Sequence, residues 1–497
     1  MTEGGFLLGS WPSHLEYQSS LTETLSTLAK SNPHLLREFK KPISKLFILN
    51  LDPLKLLIAP LYSHTGKPSN QQSEIYRAFV LMVDLGLSLT AFLKKLKHNP
   101  VLQAICGFKD KLPGAASFHD FINRLIKIDE KSVYRIKSTK PVKKLGKEKM
   151  PPKHPGIVQR LVDQIMCGRR LDNRPERLIQ EVFAAVSVRP SINLGLVSRS
   201  PAVSGDGTCI STAATHFGRR TCKCNDFHCS CPRKFSDPNA TWGWDSHNER
   251  YFYGYMGYFI STHNKADKVD LPLYIRIVGA RRHDSISAVL AIAELRDLYP
   301  DLNIASFISD SASDNYATYS LLNHFGINAV IDLNNKTKGQ LKYQECVVNG
   351  KGVPICPAER EMVHWGFSTR EKFRIKWRCP RVCRKLDATE ACFSCSPSPY
   401  GRTVHTKHEW DIRIFTKIPR SCDHFKELMK QRTAAERVNN RILNNYGLNS
   451  SKVRGRKRIT FFASIAGGNI HLDAQLAKMV SLGLFDFHTL FSLSKAA

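Results

Sequence analysis

Between Asn303 and Asn334 the apolar positions change period twice. Ile304 to Ser309 is a short apolar run, β-branched at Ile304 and Ile308, the pattern of a buried strand. From Asn315 the spacing becomes three and four, with Tyr316, Tyr319, Leu322 and Phe325 on one helical face, and Gly326 supplies the stop. Ile327 to Leu333 returns to a strand. A strand–helix–strand of this length predicts a right-handed parallel crossover, and such sheets meet their ligands at the carboxyl ends of the strands. Asp310 stands at that end. Asp314 is the aspartate better placed to cap the helix that follows.

The rest of the chain divides by the same kind of pattern. Residues 1–130 predict short helices only. Ile75, Phe79, Met82 and Val83 share a face after a Gly66-Lys67-Pro68 turn, Gly86 breaks the pattern, and Ser88 caps a helix carrying Phe92, Leu93 and Leu96. After Pro113-Gly114, Phe118, Phe121, Ile122 and Leu125 line another face. These helices suit a helix-turn-helix DNA reader or a plain packing bundle. Residues 131–199 form a basic linker followed by helices at Ile157 to Met166 and Pro175 to Val186.

Residues 200–336 predict strands at Ser200 to Thr212, Tyr251 to Thr262 and Leu271 to Gly279, then an amphipathic helix from Asp284 to Leu298. With the strand–helix–strand above, this order predicts an α/β core with a mixed sheet whose first three strands form an antiparallel meander. Residues 337–420 turn polar and rich in proline and cysteine, and read as an insertion with β structure at Val347 to Ile355 and Thr403 to Thr416. Residues 421–497 complete the core with a helix from Asp423 to Asn445, closed at Tyr446-Gly447, and a basic C-terminal segment.

Charge changes the picture more than composition does. The hydrophobic share of 42% suits a globular chain, but a formal net charge of +30 over 497 residues points to a polyanion, most simply nucleic acid. The stretch from Lys131 to Lys153 carries nine lysines and arginines against one acid, so Lys143, Lys144, Lys147 and Lys149 are candidate phosphate contacts. Arg454, Arg456, Lys457 and Arg458 form a second group, close behind the helix that carries Glu436. No run approaches the length of a spanning helix and MTEGGFLLGSW lacks a signal-peptide pattern, so a cytoplasmic protein without a membrane partner is expected.

The chemistry rests on three acids. Asp206 lies at or near the end of one strand, Asp310 ends another, and Glu436 stands four residues after Arg432 on the same helical face. Carboxylates converging on one sheet edge repel unless cations lie between them, which implies a pair of divalent ions such as Mg²⁺ or Mn²⁺ acting on a phosphodiester. The plainer reading of Arg432 and Glu436 is a surface ion pair. Asp284 competes for the acidic site but reads as a helix N-cap, with His283 and His247 as helpers.

Eight of the fourteen cysteines fall in two groups that suggest zinc, while Cys106, Cys167, Cys209 and Cys422 read as isolated buried thiols. Cys379, Cys383, Cys392 and Cys395 have the ribbon-like C-x₃-C-x₈-C-x₂-C spacing, which Cys346 and Cys356 could join; Cys222, Cys224, Cys229 and Cys231 fall within ten residues around His228. The former is the preferred Zn²⁺ candidate. Reduced surface thiols are the plain alternative for both.

Three of these stretches resemble a known family. VSGDGT (Val203 to Thr208), FISDSASDNY (Phe307 to Tyr316) and QRTAAERVNNRI (Gln431 to Ile442) are similar to the two aspartate strands and the Arg-x-x-x-Glu helix of DDE transposases of bacterial insertion sequences. LYSHTGKPS and GFKDKLPGAASFHDFINRL resemble the helical N-terminal domain of one branch of that family. The resemblance covers most of the chain. It implies a ribonuclease-H-like core with a large insertion before the glutamate helix, and an all-helical DNA-binding domain in front.

It further implies Asp206, Asp310 and Glu436 as catalytic metal ligands, cleavage at terminal inverted repeats, and strand transfer into target DNA by a homodimer at the bacterial nucleoid. The family's helix also has a Tyr three residues before the Arg and a Lys seven after the Glu; here these are Met429 and Leu443, with Arg441 the nearest substitute as a phosphate contact beside Arg432. A Gly-Tyr commonly follows the second aspartate, where this chain has Ser311-Ala312-Ser313. A decayed transposase or other non-catalytic DNA-binding protein, and a ribonuclease-H-like nuclease without strand transfer, remain as alternatives.

Overall fold

The computed structural model describes residues 8–490, apart from residues 32, 64, 66–67, 110, 127–133, 136–154, 170–175, 227, 230, 247, 335–339, 344–345 and 369–372. Lys143, Lys144, Lys147, Lys149 and His247 lie outside the described residues.

A six-stranded mixed sheet organises the molecule. Its strands are β1 (Ala202–Ser211), β4 (Thr241–Asp245), β5 (Arg250–Asn264), β6 (Val269–Gly279), β7 (Ser306–Ser309) and β8 (Asn328–Ile331); β2 (Arg219–Arg220) and β3 (Arg233–Lys234) form a separate hairpin between β1 and β4. The order is β4-β5-β1-β7-β8, with β6 also paired to β5. β1, β5 and β6 make the antiparallel meander that their alternating apolar and small residues predict. β7 pairs in parallel with both β1 and β8, as the crossover requires.

Helices cover both faces. The helix from Asp284 to Leu298 packs on β1, β5 and β6, and the segment carrying Glu436 packs on the same strands from the other side. The expected helix from Asp423 to Asn445 is broken: it runs as Asp423–Lys430, then Thr433–Asn440, then a wider π turn Arg441–Asn445. Between the two helices, Gln431 and Arg432 are a tight turn, their N–H groups bonded three residues back.

In the N-terminal half, α1 (Gln72–Asp84) is buried along nearly its whole length, and α2 (Ala115–Ile126) presents Phe118, Phe121, Ile122 and Leu125 inward as their spacing predicts. Ser88 caps its helix by accepting the Ala91 N–H at 3.3 Å. The longest described helix is one the sequence pattern did not announce. We label the later helices α3 (Asp284–Leu298), α4 (Tyr316–His324), α5 (Asp423–Lys430), α6 (Thr433–Asn440) and α7 (Arg456–Ser481). α7 lies between the N-terminal helices and the sheet, against α1, α2 and β6.

One continuous apolar core therefore runs from Phe79 and Phe118, through Phe461 and Ile470 of α7, to Tyr258 and Phe307 of the sheet. The ring of Phe79 meets Phe118 at 5.3 Å and Phe461 at 5.2 Å, both edge-on. Gly467 and Gly468 permit the close approach of α7: a Cβ on Gly467 would lie 2.9 Å from Ile275 Cδ1, and one on Gly468 2.9 Å from Ser187 Oγ. No single described helix is long and apolar enough to cross a membrane.

The insertion has a small core of its own, built on the antiparallel strands β9 (Val363–Ser368), β10 (Arg374–Arg378) and β11 (Thr403–Lys407). Trp377 is buried there, its indole N–H donating to Thr406 Oγ1 at 2.9 Å.

Candidate active site

Strand register brings the first two acids level. β1 and β7 pair in parallel with Ser204 opposite Ile308, so Asp206 and Asp310 each follow two residues later, on the same face and on neighbouring strands. Asp310 lies just past the end of β7 and is exposed; its Oδ1 accepts the Ala312 N–H at 3.0 Å, capping the short 3₁₀ turn Ser311–Ser313.

The expectation that Asp314 caps α4 is corrected. Asn315 is the cap, accepting the Thr318 N–H at 3.0 Å. Asp314 is instead buried, held by Arg413 through two bonds of 2.8 and 2.6 Å and by the Tyr319 hydroxyl at 3.0 Å.

Glu436 arrives on α6. The turn at Gln431 and Arg432 restarts the helix so that Glu436 falls in its first turn, where the helix dipole favours an anion. Glu436 is exposed and pairs with Arg432 at 2.8 Å, so the plain surface ion pair is present as well. One helical turn on, Asn439 donates from Nδ2 to Asp206 Oδ2 at 3.0 Å, which ties α6 directly to β1. Burial pushes the Asp206 carboxyl up to about 6, and the charges of Asp310, Glu436 and Asp284 add to the rise against the opposing pull of Arg432.

Asp284 is not the N-cap that its position suggested. His283 fills that role, its Nδ1 accepting the Ser285 N–H at 3.2 Å. Asp284 instead reaches the sheet from the face opposite Asp206. It lies over Gly207, where a Cβ would come within 2.5 Å of its carboxylate and force the Asp284 side chain to shift. Its Oδ1 is buried without a hydrogen-bond partner, and burial followed by the Asp310 charge pushes its carboxyl up to about 6.

Among the described residues Asp206, Asp310 and Glu436 do not bring three carboxylate oxygens within 4.8 Å of one another. Besides the carboxylates, Asn439 Oδ1 is buried and has no hydrogen-bond partner. A hard divalent cation suits such a set, since it accepts oxygen ligands and cancels the mutual repulsion.

Residues 27–124 match the family model described as Transposase domain (DUF772). Residues 27–124 are thus similar to a transposase domain. This match supports a transposase of the insertion-sequence type, an enzyme acting on DNA. The search of curated proteins found no match to the chain. The matched stretch includes α1 and all but the last two residues of α2, and it joins the sheet at β6 through α7. Buried Lys45 of this stretch pairs with Asp84 at 2.5 Å and with Asp473 of α7 at 3.2 Å.

Several of the cations proposed for DNA have partners within the chain. Arg441 is half-buried and bonded to Asp473 at 3.0 Å, beside the Tyr446 hydroxyl at 2.6 Å on the same carboxylate. Arg456 pairs with Glu176 at 2.6 Å, and Arg458 donates to Asn123 Oδ1 at 3.0 Å, so both anchor the start of α7. Lys457 is half-buried between them, and Arg454 is exposed.

The cysteine groups exchange rank. Cys379, Cys392 and Cys395 line a small cavity together with Cys356, while Cys383 is not part of that lining, and the four expected zinc ligands form no close sulfur cluster among the described residues. Cys222, Cys224, Cys229 and Cys231 do. Asn439 and Gly207 were missed by sequence reasoning. The step of three from Glu436 to Asn439 was the available signal; nothing local marks Asp284 as a neighbour of Gly207.

Proposed function

We propose that the chain is a DDE transposase in which Asp206, Asp310 and Glu436, on a ribonuclease-H-like core, hold two Mg²⁺ or Mn²⁺ ions. The observation that carries this reading is the register that sets Asp206 and Asp310 level on neighbouring strands, with Asn439, one helical turn on from Glu436, bonded to Asp206 at 3.0 Å. Bound divalent ions supply the positive charge that activates the attacking oxygen and stabilises the leaving one.

The chain's own residues do the positioning. Asp206 stands within β1 and Asp310 just past the end of the neighbouring β7, Asn439 fixes the Asp206 carboxylate, and Arg432 orients Glu436. In the first step a water oxygen bonds to phosphorus at the element end, the P–O3′ bond breaks, and the 3′ oxygen takes up a proton. In the second, that 3′ hydroxyl loses its proton, bonds to a target phosphorus and displaces the target's own 3′ oxygen. The partners are the terminal inverted repeats and target DNA, and two ends handled together require a homodimer working at the nucleoid.

The test is cleavage of a duplex carrying the element end, with Mg²⁺ or Mn²⁺. Asp206→Asn, Asp310→Asn and Glu436→Gln should each abolish cleavage while DNA binding persists. Full activity in any of the three would overturn the assignment.

A further inference from the structure

The loop of the β2–β3 hairpin is held by very little protein. Its ladder has two residue pairs, Arg219 with Lys234 and Arg220 with Arg233, and twelve residues run between them. Thr221 Oγ1 donates to the Pro232 carbonyl at 2.8 Å across its base. So short a ladder over so long a loop buries too little apolar surface to fix one conformation. The chain nonetheless converges there on four sulfurs.

Cys222, Cys224, Cys229 and Cys231 bring their Sγ atoms within 4.8 Å of one another. The sequence explains the convergence. Each pair is C-x-C, and the Cys229 N–H bonds the Asp226 carbonyl at 3.3 Å where the chain turns back between the pairs. The separations are 3.1 Å for Cys222 to Cys224, 3.6 Å for Cys222 to Cys229 and 3.8 Å for Cys224 to Cys231. A disulfide needs about 2.05 Å between sulfurs, and all four cysteines are free. A tetrahedral ZnS₄ centre with Zn–S near 2.3 Å has edges of about 3.8 Å.

We propose that these four thiolates bind one Zn²⁺, which closes the hairpin loop and fixes the base on which Arg219, Arg220 and Lys234 stand. Binding releases the thiol protons and leaves the sulfurs unoxidised. The assignment does not depend on the chemistry at Asp206.

The full chain tests it without substitution. Zinc-loaded protein is treated with iodoacetamide, with and without a chelator, and each cysteine is mapped by mass spectrometry. Exposed Cys224 and half-buried Cys222 and Cys231 should stay unmodified until the chelator is added. Immediate alkylation of these three in zinc-loaded protein would overturn the site. A second arm removes the other group: protein with Cys379, Cys383, Cys392 and Cys395 changed to serine is stripped and titrated with Co²⁺. One equivalent should give the thiolate-to-cobalt charge-transfer bands of a tetrahedral sulfur site, lost again in Cys222→Ser/Cys231→Ser. Absence of those bands in folded protein, verified by circular dichroism, would count against it equally.

Discussion

Asp206 and Asp284 meet the same sheet edge from opposite faces, and the difference between them is testable residue by residue. Asp206 sits with Asn439 and Glu436 on the α6 side, whereas Asp284 lies over Gly207 on the α3 side with an unpartnered buried oxygen. An isosteric amide at Asp284 removes a desolvated charge beside Asp310 without touching the helix cap, which belongs to His283. Asp284→Asn is therefore expected to raise the melting temperature in chelator at pH 7.5 and to keep the gain that Mg²⁺ gives. Asp310→Asn should lose that Mg²⁺-dependent gain. A lower melting temperature for Asp284→Asn would restore the capping role. Of the three candidate acids only Asp310 ends a strand; Asp206 lies in the middle of β1, paired with Phe259, because β5 continues the ladder past it to Ser211, which corrects the strand end expected there. Asp284 was misread because an aspartate before an apolar helix looks like a cap whenever the histidine ahead of it is ignored.

At the scale of elements, α7 is what the sequence concealed. Its basic start drew attention to phosphate contacts, yet Arg456 and Arg458 tie it down, and its apolar residues point in nearly every direction because it is surrounded. A helix buried on all sides has no single apolar stripe to read. It also carries His471, buried between the sheet and the Ser187–Asn193 segment. Nε2–H donates to the Pro272 carbonyl at 2.7 Å, and Nδ1 pairs with the Ser191 hydroxyl at 2.8 Å.

Burial lowers the His471 imidazole to about 4, against its ordinary 6.5. The folded chain thus binds this proton less readily than the unfolded one. Its contribution is complete above pH 6.5 and is lost as pH falls towards 4, by roughly 3 kcal/mol at the limit. His471→Gln cannot be protonated, so its melting temperature should fall less between pH 7 and pH 4.5 than that of the unmodified chain. Equal falls would show that acid sensitivity in this window arises elsewhere.

For the whole molecule, the pattern of strands and helices gave the mixed sheet and its meander, because alternation and period report local burial. What it could not give was the single core shared by residues 27–124 and the sheet, since contacts such as Phe79 with Phe461 join residues nearly four hundred positions apart. The charge of +30 also acquires a direction only in three dimensions. β3 pairs on one side with β2 and on the other with Tyr134–Arg135, within the basic linker, so the hairpin and the linker begin at one place. Arg219, Arg220 and Lys234 are exposed there. If this region meets DNA, each phosphate contact adds roughly −0.9 to the slope of log affinity against log salt. Changing Arg219, Arg220 and Lys234 to alanine should flatten the slope by about 2–3. Changing Lys143, Lys144, Lys147 and Lys149 should flatten it by up to about 3–4. Affinity measured from 50 to 300 mM salt on element-end and unrelated duplexes checks both, and the loss should be similar on the two, since phosphates carry no sequence. A slope unchanged by the hairpin variant would mean that this surface faces away from DNA, and the charge would then have to act through the linker lysines alone.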